Sequence, residues 1–440
     1  MKFRKIKYFI IILFICSYFI FNYSSKISVS SNPCSHLYQT DSFERSNNLT
    51  RLLDEYFSYR TCVLQHRLSN VDYVIFDAVN GLGNRLLGLL SVTTYALVTN
   101  RILLINWRHG DNHLAYFHDL FLPLSPLNEN SFYSQYSISR LRNNLRNRWI
   151  NEIHSQMNIE NGMPKDWSFY FDMQILCNDY QYKLSFPKQM TLNILNWFNP
   201  HFKWIRTDQY FLPLLTRNQR YRQTFMKLFP NGQIFNQLAQ RILKPVEKVN
   251  LLVEDFQNKY NLTDEMITIG IHMRSWSSTT TDYIEPFEKC IQHVIQNITR
   301  INKKETKIYL YIISNNLKRR QRLEKQMSDS NKSIEILRLS AKRIMKMQYT
   351  LAELLILSKM KHLIITSKST FGMIAQGLAN KGAWIVRQGA AHETNSFHSN
   401  LCQWESTSEP EYQTMRYLQI NNTCPQQNVY LPSIGERTVI

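Results

Sequence analysis

The chain has 440 residues, 44% of them hydrophobic and few of them glycine or proline; this excludes a low-complexity protein and leaves room for two domains plus a tail. Its 52 basic and 33 acidic residues give a formal charge of +19, a sign that suits nucleic acid, an anionic membrane surface or a phosphate-bearing ligand. The charge is scattered, and its densest clusters, Lys318-Arg319-Arg320-Gln321-Arg322 and residues 140–148, read as solvated helix faces.

At the N-terminus, Lys2, Arg4, Lys5 and Lys7 precede a charge-free, mostly apolar run over 8–25. Positive charge stays on the cytoplasmic side of a membrane, which predicts a cytoplasmic tail over 1–7, a signal anchor over 8–25 and a lumenal remainder. The run is short and suits a thin internal membrane. The expectation is a single-pass type II protein of the Golgi membrane, whose lumenal part meets no nucleic acid. Residues 26–70, rich in Ser and Asn, read as a stem. Glycosylation sequons at Asn48, Asn261, Asn297, Asn331 and Asn421 agree with that compartment. So do Cys34, Cys62, Cys177, Cys290, Cys402 and Cys424, which can form up to three disulfides of undetermined pairing.

The ordered part opens with a predicted strand over 71–77. The turn Gly81-Leu82-Gly83-Asn84-Arg85 then leads into a helix continuing to Leu97, and a second strand covers 102–107. This is a βαβ unit. Its glycines allow a sharp turn and a close approach, or simply a tight packing corner. Asn84 and Arg85 fall at the carboxyl end of the strand, where open α/β folds bind ligands. Residues 125–195 carry no firm motif. In Trp204-Ile205-Arg206-Thr207-Asp208-Gln209-Tyr210-Phe211-Leu212-Pro213, Asp208 can take a proton from a hydroxyl or cap a helix.

A helix is predicted around 235–249, ending near Lys244-Pro245, and a domain boundary near 250. The α/β rhythm then restarts. Strands are expected over 267–273, 307–314, 334–339, 362–366 and 383–387, with helices over 287–302, 317–327, 348–359 and 370–378 between them. Such alternation implies parallel sheets with crossover connections. The predicted architecture is α/β, with two Rossmann-like domains (71–250 and 251–440) facing a cleft.

Two motifs in the second half carry chemistry. Ile269-Gly270-Ile271-His272-Met273-Arg274 ends a strand with a guanidinium that can clamp a phosphate or form a structural ion pair. Ser369, Thr370, Phe371 and Gly372 open a helix whose free N–H groups bind an anion or are capped by the hydroxyls. Glu353, on the preceding helix, can accept a ribose hydroxyl or simply face solvent. There is no Asp-x-Asp. A leaving diphosphate would therefore be neutralised by arginine and helix N-termini, with no metal or other cofactor.

Taken in order, these blocks resemble the plant xyloglucan fucosyltransferase family. They comprise Gly81 to Arg85, Thr99-Asn100-Arg101-Ile102-Leu103-Leu104, Asp208 to Phe211, Leu228-Phe229-Pro230, the block ending in Arg274, and Ser369-Thr370-Phe371-Gly372-Met373-Ile374-Ala375-Gln376-Gly377-Leu378. The resemblance covers roughly 71–410. It implies a GT-B-like, inverting enzyme that moves L-fucose from GDP-fucose to a glycan acceptor, at O-2 of a galactose. Arg274 would bind the diphosphate, with His272 beside it in an H-x-R motif. Ser369, Thr370, Phe371 and Gly372 would hold the nucleotide, while Asn84 and Arg85 line the cleft and Asp208 serves as base on the acceptor side. Two departures are Lys368, where the plant proteins tend to carry an aromatic residue, and Ser275-Trp276-Ser277, which supplies no acid after Arg274. The second of these supports the alternative of a non-catalytic lumenal protein that binds a glycan or a GDP-sugar.

Overall fold

The computed structural model describes residues 32–39, 41–66, 68, 71–78, 80–107, 115–124, 202–207, 210, 212–217, 219–263, 265–274, 284–302, 307–340, 344–387 and 402–410. The predicted anchor, the stretch 125–195, Asp208, Cys177, Cys424 and Asn421 lie outside the described residues. Among the described residues no helix is long and apolar enough to cross a membrane.

The first half comprises α1 (Ser42–Arg45), α2 (Leu49–His66), β1 (Tyr73–Ala78), α3 (Leu82–Val98), β2 (Ile102–Asn106), α4 (Phe117–Leu120), β3 (Phe202–Thr207), α5 (Leu212–Arg217), α6 (Gln219–Leu228), α7 (Ile234–Ile242) and α8 (Glu247–Tyr260). β1 is wholly buried and pairs in parallel with β2 on one side and β3 on the other. The strand β3 was not expected from the sequence. Helix α3 is buried nearly all round, the mark of a helix packed on both sides. Three of its hydroxyls are satisfied within the helix: Ser91, Thr93 and Thr94 donate to the carbonyls of Leu87, Leu89 and Leu90 at 2.9, 2.7 and 2.9 Å.

The helix expected around 235–249 ends close to the predicted Lys244-Pro245 stop, and a second one begins at Glu247. Helix α7 stops at Ile242, and Pro245 lies in an extended bridge to Phe121. Proline lacks the N–H that a helix interior needs and clashes with the preceding turn. Val246 instead donates to the carbonyl of Leu120 at 3.0 Å before α8 begins.

The second half comprises β4 (Ile267–Met273), α9 (Ile284–Asn302), β5 (Ile308–Ser314), α10 (Leu317–Ser330), β6 (Ile334–Leu337), α11 (Lys346–Lys359), β7 (His362–Thr366), α12 (Thr370–Ala379), β8 (Ala383–Val386) and β9 (Cys402–Glu405). Its sheet has the order β6-β5-β4-β7-β8-β9. All pairs are parallel except β8 with β9, the unforeseen antiparallel edge. Strand order reverses between β4 and β7, and the crevice beyond their carboxyl ends is where such sheets bind ligands. A disulfide between Cys290 and Cys402 fastens β9 to α9.

The two halves share one apolar core. It runs from β1, β2 and α3 through α7 and α8 to Tyr311, Ile313, α11 and Ile374. A second core lies on the opposite face of the larger sheet, beneath α9 and α10.

The segment read as a stem belongs to the first core. Leu52, Leu53, Tyr56, Tyr59, Val63 and Leu64 of α2 are buried. The helix also covers the free edge of β2: the Tyr56 hydroxyl donates to the carbonyl of Arg101 at 2.9 Å and accepts the Leu103 N–H at 3.0 Å, while Arg60 Nε donates to the Leu103 carbonyl at 2.7 Å. Paired edge groups no longer invite another strand. A Cys34–Cys62 disulfide closes the segment on itself.

Each buried apolar side chain of α2 contributes about 1.5–3 kcal/mol, so together they rival the ~5–15 kcal/mol stability of a whole domain. Removal of residues 1–70 is therefore expected to abolish folding, and removal of 1–31 is not. Soluble yield and circular dichroism of the two truncations provide the check. A folded chain beginning at residue 71 would restore the reading of 26–70 as a stem.

Candidate functional site

The site is built where two helix N-termini meet. Helix α3 starts just after β1, and α12 starts just after β7. They approach so closely that a Cβ on Gly83 would lie 2.7 Å from Thr370 Oγ1 and 3.0 Å from the Phe371 nitrogen. A Cβ on Gly81 would meet nothing within 4 Å. Of the two glycines in the turn, only Gly83 answers to a close approach, and what it approaches is the other helix. Beside it the Thr370 hydroxyl donates to Asn84 Oδ1 at 2.6 Å. The two sequence motifs, 286 residues apart, thus form one junction.

The tips of β4 and β7 supply the rest. Thr366, fully buried, donates through Oγ1 to the carbonyl of His272 at 2.9 Å and accepts the Arg274 N–H at 2.7 Å. It locks the backbone from which the exposed Arg274 side chain leaves the sheet. Sequence reading missed Thr366, because a hydroxyl closing an apolar strand carries no signal until its neighbour across the sheet is known. Residues 367–368 turn the chain with Lys368 in the left-handed region, at φ 63°. Ser369 is the N-cap of α12 and is buried, yet its side chain makes no capping bond. The hydroxyl capping weighed from the sequence does not occur.

His272 is 4% exposed and stacks on Phe371, with ring centroids 5.0 Å apart and planes at 25°. Burial, with a smaller push from Arg274, lowers its pKa to about 3, so the ring is neutral at any physiological pH. Its Nδ1 is buried without a hydrogen-bond partner among the described residues. Gly372 makes the stack possible: a Cβ there would lie 2.9 Å from Ile365 Cβ and 3.2 Å from His272 Nδ1.

The structure therefore brings together Asn84, His272, Arg274, Ser369, Thr370, Phe371 and Gly372. Two other candidates are placed differently. Arg85 does not line a cleft: it is fully buried, donates from Nε to the Asn80 carbonyl at 2.8 Å, and lies 5.4 Å over the Trp107 ring. Its role is to brace the turn at Asn80, where φ is 61°. Glu353 lies against Arg320 at 3.4 Å, within a group that includes Glu324 and Arg338. Burial raises its carboxyl to about 7, with Arg320 drawing it back. Its carboxylate is thus engaged in this ion-pair group, away from the helix junction, and is 14% exposed.

Two helix N-termini bring the positive ends of two dipoles together, and Arg274 adds a full charge. Such a convergence binds an anion with several oxygens. Among the described residues no group of three or more His, Cys, Asp or Glu could hold a metal ion.

Gly83→Ala is expected to drive α3 and α12 apart by a few tenths of an ångström and to weaken binding of a multi-oxygen anion at least tenfold with little loss of fold. Calorimetric titration with pyrophosphate checks it, and unchanged affinity would show that the junction is not part of the site. A second expectation concerns pH. The unfolded imidazole takes up its proton near 6.5 and the folded one only near 3. The unfolded state binds more protons between those values, so stability falls as pH falls through that window, by about 2 kcal/mol at pH 5. His272→Gln should remove that part of the slope in urea melts at pH 7 and pH 5.

Comparison with known proteins fits this geometry. The family described as xyloglucan fucosyltransferase matches residues 34–309, beginning inside the segment read as a stem. The "Probable fucosyltransferase 9" of Arabidopsis thaliana is 29% identical over 332 residues, 71% of this chain and 61% of that protein. The "Galactoside 2-alpha-L-fucosyltransferase" of Pisum sativum is 26% identical over 378 residues, 77% and 62% of the two chains. The chain thus spans about three-fifths of the length of these relatives. A solved structure of an Arabidopsis thaliana FUT1 mutant in complex with GDP shares the fold, with a TM-score of 0.54 at 20% identity over 82% of this chain and 83% of that one. With the family pattern spanning well over half its length, from Cys34 through α2, α3 and β4 to the start of β5, the chain belongs to the xyloglucan fucosyltransferase family.

Proposed function

We propose that the protein is an inverting fucosyltransferase that takes L-fucose from GDP-fucose to a glycan hydroxyl, O-2 of a galactose. The observation that carries this reading is the junction of α3 and α12 beside Arg274: a positively polarised, largely preformed recess made by both halves of the chain. Family membership supports fucosyl transfer. The GDP named with the FUT1 structure and the galactoside specificity named for the pea relative support the donor and the acceptor position.

In this reading Arg274 holds the diphosphate and offsets the charge that develops on GDP as the glycosidic bond breaks. The N–H groups of the first turn of α12 hold the same oxygens, and Phe371 stacked on His272 walls the recess. The neutral imidazole adds no charge of its own. The acceptor hydroxyl attacks the face opposite the diphosphate, and Asp208, the next residue in sequence after β3, takes its proton. Nothing in this account requires a metal ion. The basic leader and the apolar run over 8–25 support a type II membrane anchor with the enzyme in the Golgi lumen; an endoglycosidase mobility shift of protein made in eukaryotic cells tests that topology.

The donor assignment is tested on Arg274 and Asp208 together. A charge-assisted contact to phosphate is worth roughly 1.5–3 kcal/mol, so Arg274→Ala should weaken GDP binding ten- to hundredfold and all but abolish transfer. Arg274→Lys keeps the charge but not the planar fork, and should fall between. Asp208→Asn should bind GDP like the parent and transfer poorly. Titration with GDP and radiolabelled transfer, the latter repeated in excess EDTA with little expected loss, read all of these. Parental GDP affinity in Arg274→Ala would overturn the donor site, and recovery of an EDTA-abolished activity by Mn²⁺ would overturn the metal-free account.

A further inference from the structure

The chain returns from the far edge of the larger sheet to the first half, and one buried carboxylate makes the connection. Beyond β9, the carbonyl of Thr407 accepts from the Gln376 side chain at 2.5 Å, and Ser408 Oγ donates to Asn380 Oδ1 at 3.2 Å. These bonds fasten the segment to α12. Glu409 then turns inward and is buried. Its Oε2 accepts the Tyr210 hydroxyl at 2.8 Å, and its Oε1 accepts the Phe235 N–H at 2.9 Å. Tyr210 is itself fully buried and follows β3 by three residues. Phe235 lies in the first turn of α7, where free N–H groups and the helix dipole favour a carboxylate.

A local cap would satisfy α7 at less cost, yet its own N-cap, Gln233, makes no side-chain bond. The acceptor comes instead from 174 residues away, although burying a carboxylate costs several kcal/mol before its bonds offset it. What Glu409 adds is a bond to two elements at once. The further contacts lead to the anion site. Asn236 Nδ2 donates to the carbonyls of Gly377 and Leu378 at 3.2 and 2.8 Å, at the far end of α12. A Cβ on Gly377 would lie 2.4 Å from the Phe235 ring. The end of β3 and the helix that opens the anion site are thereby held in one frame.

We propose that Glu409 is a positioning residue for fucosyl transfer: its bond to Tyr210, two residues after Asp208 in the sequence, holds the chain beyond β3 to the frame that carries the donor site. This rests on the functional reading above. It acts through Tyr210 and touches neither substrate.

The test uses the full chain with Glu409→Gln, Tyr210→Phe and the double variant. Glutamine keeps the shape, but with its one oxygen on the Phe235 N–H its NH2 can only donate to the Tyr210 hydroxyl, so the charge-assisted bond from Tyr210 to the carboxylate is replaced by a weaker neutral one. Each single variant is expected to lower kcat for transfer to a galactosylated xyloglucan oligosaccharide ten- to hundredfold, while GDP affinity and slow hydrolysis of GDP-fucose by water stay within twofold. The double variant should be no worse than either single, since the bond from the Tyr210 hydroxyl to the Glu409 carboxylate is the one lost in all three. Transfer at the parental rate, GDP affinity falling in step with transfer, or losses that multiply in the double variant would each overturn the proposal. Hydrogen exchange separates it from the functional reading. If the parent turns over no GDP-fucose, the functional reading falls. The positioning itself still requires that Glu409→Gln speed exchange over 202–212 and leave 362–378 unchanged, and unchanged or uniformly faster exchange would sink it.

Discussion

Everything at the candidate site depends on the contact between Gly83-Asn84 and Thr370-Phe371. Two helix N-termini placed head to head repel, because each carries about half a positive charge. Here the repulsion is outweighed by the apolar core behind the junction and by the bond from Thr370 to Asn84. The absence of a side chain on Gly83 lets the helices close. The polarisation that remains is the binding capacity of the site. A ligand with several anionic oxygens relieves it, and a neutral or cationic one does not.

The rest of the molecule can be understood as support for that contact. One core continues from the smaller sheet into the inner face of the larger one, so the two halves are not independent bodies joined by a flexible linker. Thr366 fixes the tips of β4 and β7 to each other, which sets the point from which Arg274 departs. Arg85 serves the same end from beneath, holding the carbonyl of Asn80 so that the turn into α3 keeps its left-handed residue. At the opposite border, α2 lends Tyr56 and Arg60 to the edge of β2 and closes the smaller sheet.

Periodicity was a sound guide where tertiary packing agreed with it. The strands at β4 and β7 have the expected bounds, because a wholly buried parallel strand is a continuous apolar run. It failed at β3, whose mixed sequence Phe-Lys-Trp-Ile-Arg-Thr lacks such a run. The N-terminal segment was misread for a related reason. The buried face of α2 is interrupted by polar residues, and Tyr and Arg count there through hydrogen bonds to a strand edge that no local pattern announces. Arg85 and Glu353 show the limit for charges. From sequence, a charged residue near a glycine turn or on a helix suggests a ligand; in the fold one braces a carbonyl and the other pairs with a half-buried arginine.

By itself the sequence determined the alternation of strands and helices, the family blocks, and the residue types that converge on an anion: a guanidinium at a strand tip, hydroxyls and glycine at a helix start, and a second glycine turn near the beginning. These are local properties, set by spacing and by backbone chemistry within a few residues. Only the tertiary structure decided that the two glycine-marked helix starts face each other, that His272 is buried and neutral against Phe371, and that Glu409 reaches back to Tyr210 and Phe235. Each of those joins residues distant along the chain. Their energies come from desolvation and close packing, which exist only once both partners have been brought together.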